Sequence, residues 1–447
     1  MRYYFLGIGG IGMSALARYF HQQGMMVSGY DRTPSPLTET LIGEGIAVHY
    51  QDNPELIPEN IDTVIYTPAI PADNREFRYL QQKGIPMYKR SQILGHICTN
   101  DFNRTLAVAG SHGKTSTSSI LTHLLSGDRP VSAFIGGIAN NFNANYIFRS
   151  GADDVVVEAD EYDRSFLTLH PYLAIITSMD ADHLDIYGSQ NSLIDAFNHF
   201  ASQIHKQGYL ITKPHLMPLL HPQCKIISYS LHDNTCLYHA DNICISNGKQ
   251  YFDIICPSHK IKDVSMETAG NYYIENAVAA VAAAEILGVN DDVIRKQLAS
   301  FTGVKRRFDY IVKQADFIYI DDYAHHPNEI KACISSARMM HPDKHICGIF
   351  QPHLYTRTRD FADEFAQALS MLDSVALLDI YPARELPIEG INSQFLLDKI
   401  TLKDKILLQK NEITDYIASR KPEVLLTMGA GDIDRMVNMI KERFAHE

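Results

Sequence analysis

The stretch "AVAGSHGKTSTSS", residues 107–119, decides how the chain is read. It continues an apolar run begun at Thr105 and Leu106 and passes into a Ser/Thr-rich helical pattern. A buried strand therefore turns through residues 110–113 into a helix that starts near Lys114. A phosphate loop needs that context, because backbone N–H groups at a helix N-terminus and a lysine ammonium converge there on phosphate oxygens. The usual spacing G-x-x-x-x-G-K-[ST] asks for a glycine at 108, where the chain has Val108. The strand-loop-helix setting outweighs that departure. Gly110, Ser111, His112, Gly113, Lys114, Thr115 and Ser116 are expected to hold ATP, with Lys114 on the β and γ phosphates and Thr115 on a magnesium ion.

Outward from this loop, short apolar runs alternate with helical patterns through most of the 447 residues, which predicts α/β layers with parallel sheets. A first block has strands at 3–6, 25–31 and 63–70 and closes in 89–105, a stretch that reads as a linker. A second has strands near 106–109, 155–158, 174–177 and 209–212 and a helix across 192–205. It continues with short strands through 213–268 and an alanine-rich helix at 276–288 ended by Gly288. The third has strands near 317–320, 346–350, 375–378 and 424–427. Domains are expected at 1–100, 101–304 and 305–447.

Composition excludes several classes. The formal charge of −12 argues against a nucleic-acid scaffold, whose affinity comes from basic surface. No run of about 18 apolar residues exists, so no membrane insertion is expected. Glycines at 7, 9, 10 and 12 interrupt the only apolar start that could resemble a signal peptide. The seven cysteines form no C-x-x-C pair, which fits a reducing cytoplasm and thiols that are buried or idle rather than metal ligands.

Further motifs stand at predicted strand ends. "GIGGIGMSA" (7–15) suits a turn where backbone meets a diphosphate, or a tight packing turn, or a nicotinamide dinucleotide site. Asp31 follows the next strand, where a carboxylate accepts from a ribose or base. In "VVVEADEYDRSF" (155–166), Glu158 is placed to hold a metal; the alternative is a solvated acidic loop. "TSMDADHLDIYG" (177–188) offers His183 as a second metal ligand or a base. "DDYAHHPNEI" (321–330) and "FQPHLYTRTRDF" (350–361) add a cationic face suited to an anionic substrate, while Arg306 and Arg307 suit a transferred phosphoryl group or form a solvated basic turn.

The ordered set of these motifs, ending in "GAGDID" (429–434), resembles the Mur ligases of bacterial cell-wall synthesis, whose own phosphate loop is the short G-x-x-G-K-[ST]. The resemblance implies an N-terminal Rossmann-like UDP-binding domain, a central P-loop ATPase domain and a C-terminal Rossmann-like domain that presents an amino acid. It implies cytoplasmic, magnesium-dependent ligation, with ATP as co-substrate, of an amine to the carboxylate of UDP-N-acetylmuramate through an acyl phosphate. Carried over by position, Lys114, His183, His325 and Arg357 are catalytic, and Thr115, Glu158 and His183 hold metal. Asn276, Arg307 and Asp321 join the ATP site, while Gly9, Gly10, Ile11, Gly12, Asp31, Thr67, Ala69 and Ile70 hold the UDP substrate. The later-acting members carry a lysine after the His183 motif, and none occurs in 184–205, which points to L-alanine as the amine. A recycling member that attaches a tripeptide, and a nicotinamide-dependent oxidoreductase, stand as alternatives. A monomer or homodimer is expected. Two departures stand out: Tyr272 and Tyr273 replace the family's His-Asn, so that adenine would stack on a tyrosine, and Leu354 replaces an arginine.

Overall fold

The computed structural model describes residues 1–180, 187–246, 248–268, 270–383 and 385–445. Three sheets carry the architecture. The first has five parallel strands in the order Ala47–His49, Met26–Tyr30, Arg2–Leu6, Thr63–Tyr66 and Met87–Lys89. The second has ten strands, whose parallel centre runs Lys225–Ser230, Tyr209–Thr212, Leu173–Ile176, Arg104–Ala109, Asp154–Glu158 and Val131–Ala139. Ala144–Ile147 closes one edge antiparallel, and Tyr238–Ser246, Lys249–Ile255 and Lys260–Met266 extend the other. The third has six: Asp309–Lys313 antiparallel at the edge, then Ile318–Asp322, Val424–Met428, Ile346–Phe350, Ser374–Leu377 and Lys405–Leu407 in parallel. By its contacts the chain divides into two compact units, residues 1–241, 253–264 and 275–299 in one, and 242–252, 265–274 and 300–447 in the other.

The central strands read as unbroken apolar runs because helices cover both faces of a parallel sheet. Leu106, Ala107, Val108 and Ala109 have no exposed surface, nor do Val155–Val157 or the four residues of Leu173–Ile176. The helix Lys114–Ser126 is buried although it is rich in hydroxyls. Two of its hydroxyls bond back to their own turn, Ser118 Oγ donating to Thr115 O at 3.1 Å and Thr122 Oγ1 to Ser118 O at 2.7 Å, while Thr117 Oγ1 and Ser119 Oγ are buried without a partner among the described residues. The helix Asn271–Ile286 solves the same problem with alanine, residues 277–284 being wholly buried, and it closes through Gly288 at φ +87°.

Three expectations about elements change. Residues 90–100, read as linker, form the helix Arg90–Asn100, which buries Leu94, Ile97 and Cys98. A loop there would have left those side chains in water. The helix expected from 276 starts at Asn271, so Tyr272 and Tyr273 lie in its first turn. The strand expected at 317–320 is Ile318–Asp322, which draws Asp321 and Asp322 into the sheet, where they are 1% and 7% exposed.

Gly95 marks the close packing of the Arg90–Asn100 helix: a Cβ there would lie 2.4 Å from Thr168 O. Gly95→Ala should lower stability by about 1–3 kcal/mol, as overpacking does. Gly43→Ala, at the end of Pro36–Gly43 with nothing within 4 Å of its added carbon, should be neutral or stabilising. Thermal unfolding of the two variants checks the pair.

Candidate active site

The loop between strand and helix begins only after Ala109. Val108 lies inside the sheet, opposite Ile175 on one side and Glu158 on the other. The turn then needs glycine at 110 and 113, whose φ values of +132° and +80° L-residues rarely adopt. A Cβ at Gly110 would also stand 2.2 Å from Thr177 Oγ1. Residues 177–180 brace the loop: Ser111 N donates to Ser178 O at 3.2 Å, His112 N to Ser178 Oγ at 2.9 Å, and Ser111 Oγ to Asp180 O at 2.9 Å.

Lys114 Nζ donates to Gly110 O at 2.7 Å and to Glu161 Oε1 at 3.0 Å. Burial disfavours its ammonium, but Glu161, Glu158 and Asp160 outweigh that and raise its pKa. Thr115 Oγ1 donates to Glu158 Oε1 at 3.0 Å and Gly136 N to Glu158 Oε2 at 2.8 Å. Burial pushes the Glu158 carboxyl up against the pull of Lys114, Gly136 and Thr115. A hydroxyl bonded to a carboxylate at a helix N-terminus is an oxygen-only donor pair, the chemistry a magnesium ion takes, so the residues fit that ion. His183, the other expected ligand, lies outside the described residues. Asn276 sits against the loop, its Oδ1 2.8 Å from where a Cβ of Gly113 would be.

A cleft of about 250 Å³ within one unit runs from the glycine turn to Glu158, with none of residues 110–116 in its lining. Gly10, Ile11, Gly12, Thr67 and Ala69 line it together with Gly136, Glu158 and Asp160. Gly9, Asp31 and Ile70 do not line it. Asp31 Oδ2 instead accepts from Gly9 N at 2.8 Å and Oδ1 from Thr33 N at 3.2 Å, so this carboxylate shapes the glycine turn. Sequence reasoning missed Arg90, which also lines the cleft, reaches Asp160 at 3.6 Å and packs over Gly12. It was hidden in the stretch taken for a linker.

In the second unit, Asp321 accepts from Arg306 Nε at 3.2 Å and from Thr427 Oγ1 at 2.6 Å, and Arg306 Nη2 donates to Gly429 O at 2.6 Å. Arg306 is the cation on Asp321. Arg307 lies with its guanidinium 5.2 Å from the Tyr323 ring centre. His325 Nδ1 is 3.0 Å from Tyr323 O, which can only accept, so that nitrogen carries the proton and Nε2 is the basic one. Burial lowers the His325 pKa despite Glu329, which favours the neutral ring. Arg357 Nη1 is buried with no hydrogen-bond partner, as suits a group awaiting an anion. Tyr273 is fully buried and donates to Arg307 O at 2.6 Å, so it offers no face to adenine. Tyr272 is half-buried beside it, ring centres 4.9 Å apart.

Three family models match in order: Mur ligase family, catalytic domain, over residues 2–101; Mur ligase middle domain over 108–284; and Mur ligase, glutamate ligase domain, over 306–431. The chain belongs to the Mur ligase family. It is 47% identical to the UDP-N-acetylmuramate–L-alanine ligase of Porphyromonas gingivalis, over 99% of this chain and 98% of that one. Its likeness to the Flavobacterium johnsoniae enzyme of the same name is 48%, covering 98% and 97%. The crystal structure of the UDP-N-acetylmuramate-alanine ligase of Thermotoga maritima superposes at a TM-score of 0.87 with 26% identity, covering 100% and 99%. A murein peptide ligase from Psychrobacter arcticus shares the fold at a TM-score of 0.74 and 21% identity. This membership removes the oxidoreductase alternative. Among the described residues no helix is long and apolar enough to cross a membrane.

Asp322, a second acid that sequence reasoning passed over, accepts from Phe308 N and Ala324 N, both at 2.7 Å. Burial pushes its carboxyl up to about 7, against Arg307 and those two N–H groups. The folded chain therefore keeps a proton that the unfolded chain releases near pH 4, and Asp322 loses stability as pH rises from about 4 to about 7. Wild type should fall relative to Asp322→Asn across that window, by up to about 1.4 kcal/mol per pH unit, and level off above it. Paired thermal melts at pH 4.5, 6 and 8 read the trend; a constant gap would contradict it.

Proposed function

We propose that this chain is the cytoplasmic ligase that joins L-alanine to the carboxylate of UDP-N-acetylmuramate with ATP and magnesium, in the making of peptidoglycan precursors. The observation that carries the reading is the cleft lined at one end by Gly10, Ile11, Gly12, Thr67 and Ala69 and at the other by Glu158, which bonds the Thr115 of the phosphate loop. A substrate whose UDP end lies on the glycine turn would bring its carboxylate toward the γ phosphate. The nearly full-length likeness to two enzymes named for L-alanine supports that amine over a tripeptide. We assign residues 1–100 to UDP-substrate binding, 101–304 to ATP binding and 305–447 to amino-acid presentation.

In the chemistry, a carboxylate oxygen takes the γ-phosphoryl group from ATP, releasing ADP. The alanine amine then attacks the carbonyl carbon and phosphate leaves. Lys114 exchanges Glu161 for phosphate oxygens and stabilises the charge that builds during transfer. Thr115, Glu158 and His183 would hold magnesium, which when bound neutralises phosphate charge. His325 Nε2, on a neutral ring, suits the proton released by the attacking amine. Arg357 Nη1 suits an anionic group of the substrate or the departing phosphate.

Phosphate release should require UDP-N-acetylmuramate, ATP, magnesium and L-alanine together. The tripeptide L-Ala-γ-D-Glu-meso-diaminopimelate should give little turnover; a preference for it would place the chain in wall recycling. Lys114→Ala should cut ligation by on the order of 10²–10³-fold while UDP-N-acetylmuramate still binds. Equal loss of binding, read by calorimetry, would overturn the division of roles between the loop and the glycine turn.

A further inference from the structure

Cys256, His259 and Glu285 take no part in the ligation chemistry, yet one ligand atom from each lies within 4.8 Å of the others. They come together for local reasons. Cys256 and His259 bound the turn "CPSH" between the strands Lys249–Ile255 and Lys260–Met266, closed by Cys256 N donating to His259 O at 2.9 Å. Glu285 stands in the last turn of the helix Asn271–Ile286. Its Oε2 is buried with no hydrogen-bond partner.

The histidine is already oriented as a metal ligand would be. His259 Nε2 lies 3.1 Å from Asp291 Oδ1, while Nδ1 faces Glu285 Oε1 at 3.8 Å. The nearer carboxylate stands on the outer nitrogen, where a proton held by Asp291 would leave the inner nitrogen for a metal, the usual support of a zinc-bound imidazole. Ser258 Oγ, 3.4 Å from Nδ1, is a weak competitor for that lone pair. In a tetrahedral zinc site an N···O edge measures about 3.4 Å, so the observed gap closes with a shift of a few tenths of an ångström. The negative end of the helix dipole beside Glu285 adds to the attraction for a cation.

The geometry points to a zinc site made by Cys256 Sγ, His259 Nδ1 and a Glu285 oxygen, with Asp291 as the positioning residue and water in the fourth place. Thiol, imidazole and carboxylate together select zinc over magnesium or calcium, which take oxygen alone. On binding, the Cys256 S–H bond breaks, sulfur bonds the metal as thiolate and the proton leaves to solvent. The ion would tie the edge turn to the end of the helix that also carries Asn276, a structural staple within one unit. With zinc bound, Cys256 would be an exception to the expected idle thiols.

The test uses the full chain, freed of metal with a chelator and titrated with Co²⁺ alone. A sulfur-to-cobalt charge-transfer band should saturate at one equivalent, and Zn²⁺ should displace it. The oxygen ligands Thr115 and Glu158 cannot produce such a band. Cys256→Ser should abolish it, and Asp291→Asn should weaken cobalt binding by about 10–100-fold while the band keeps its shape. His259→Ala, at a partly exposed position, should weaken binding at least as much and leave the metal-free melting temperature unchanged. No band, or a band that survives Cys256→Ser, overturns the site. Should Cys256→Ser fail to fold, undiminished cobalt affinity in His259→Ala overturns it equally.

Discussion

The Lys114 ammonium is the constraint around which the nucleotide end of the molecule is arranged. A cation withdrawn from water must be met by opposite charge and hydrogen-bond acceptors. Gly110 O and Glu161 meet this one directly, while Glu158 and Asp160 contribute through their charge. Each of these groups fixes something further. Glu161 caps the start of the segment Tyr162–Thr168, where Asp163 and Arg164 hold left-handed conformations at φ +52° and +56°. Tyr187 pins the same segment by donating to Glu161 O at 2.6 Å.

The acidic loop carries that order toward the substrate end. Asp160 meets Arg90 and Asp163 meets Lys89 at 3.1 Å, so the start of the helix Arg90–Asn100 is tied to residues beside the phosphate loop. Arg90 in turn covers Gly12 of the glycine turn. One lysine, four acids and two basic residues thus connect the sites expected for the two nucleotides. On the proposed assignment an incoming triphosphate would compete with Glu161 for Lys114, and a metal on Thr115 and Glu158 would keep the added negative charge tolerable beside three carboxylates.

Much of this was legible in sequence because the signals were local. The strand-loop-helix around residues 107–119, the parallel strands and the Gly288 stop follow from apolar runs and glycine positions alone. Asp31 was found but its partner was not, since Gly9 is 22 residues away and nothing in spacing says whether a carboxylate faces a ligand or a backbone N–H. Arg90 and the helix behind it were lost for another reason. The stretch 89–105 mixes Lys, Arg, Ser, Asn and Asp with its apolar residues, and only packing against Thr168 shows that Gly95 is a point of close approach rather than a break. That Arg306 reaches Asp321 was equally out of reach, because neighbouring residues in an irregular turn have no periodicity to separate their directions.

That turn also explains how Tyr273 can replace a polar family residue without loss of order. Arg306 and Phe308 both take left-handed backbone, at φ +62° and +47°, a conformation that side chains resist unless surrounding bonds enforce it. Asp322 holds Phe308 N, Asp321 and Gly429 hold the Arg306 guanidinium, and the Tyr273 hydroxyl holds Arg307 O between them. Three consecutive residues of the junction are thereby fixed from three sides. The buried tyrosine uses its ring to fill the core and its hydroxyl to satisfy a backbone carbonyl. Its role is in shaping the basic turn, and buried as it is it offers no ring face to a base.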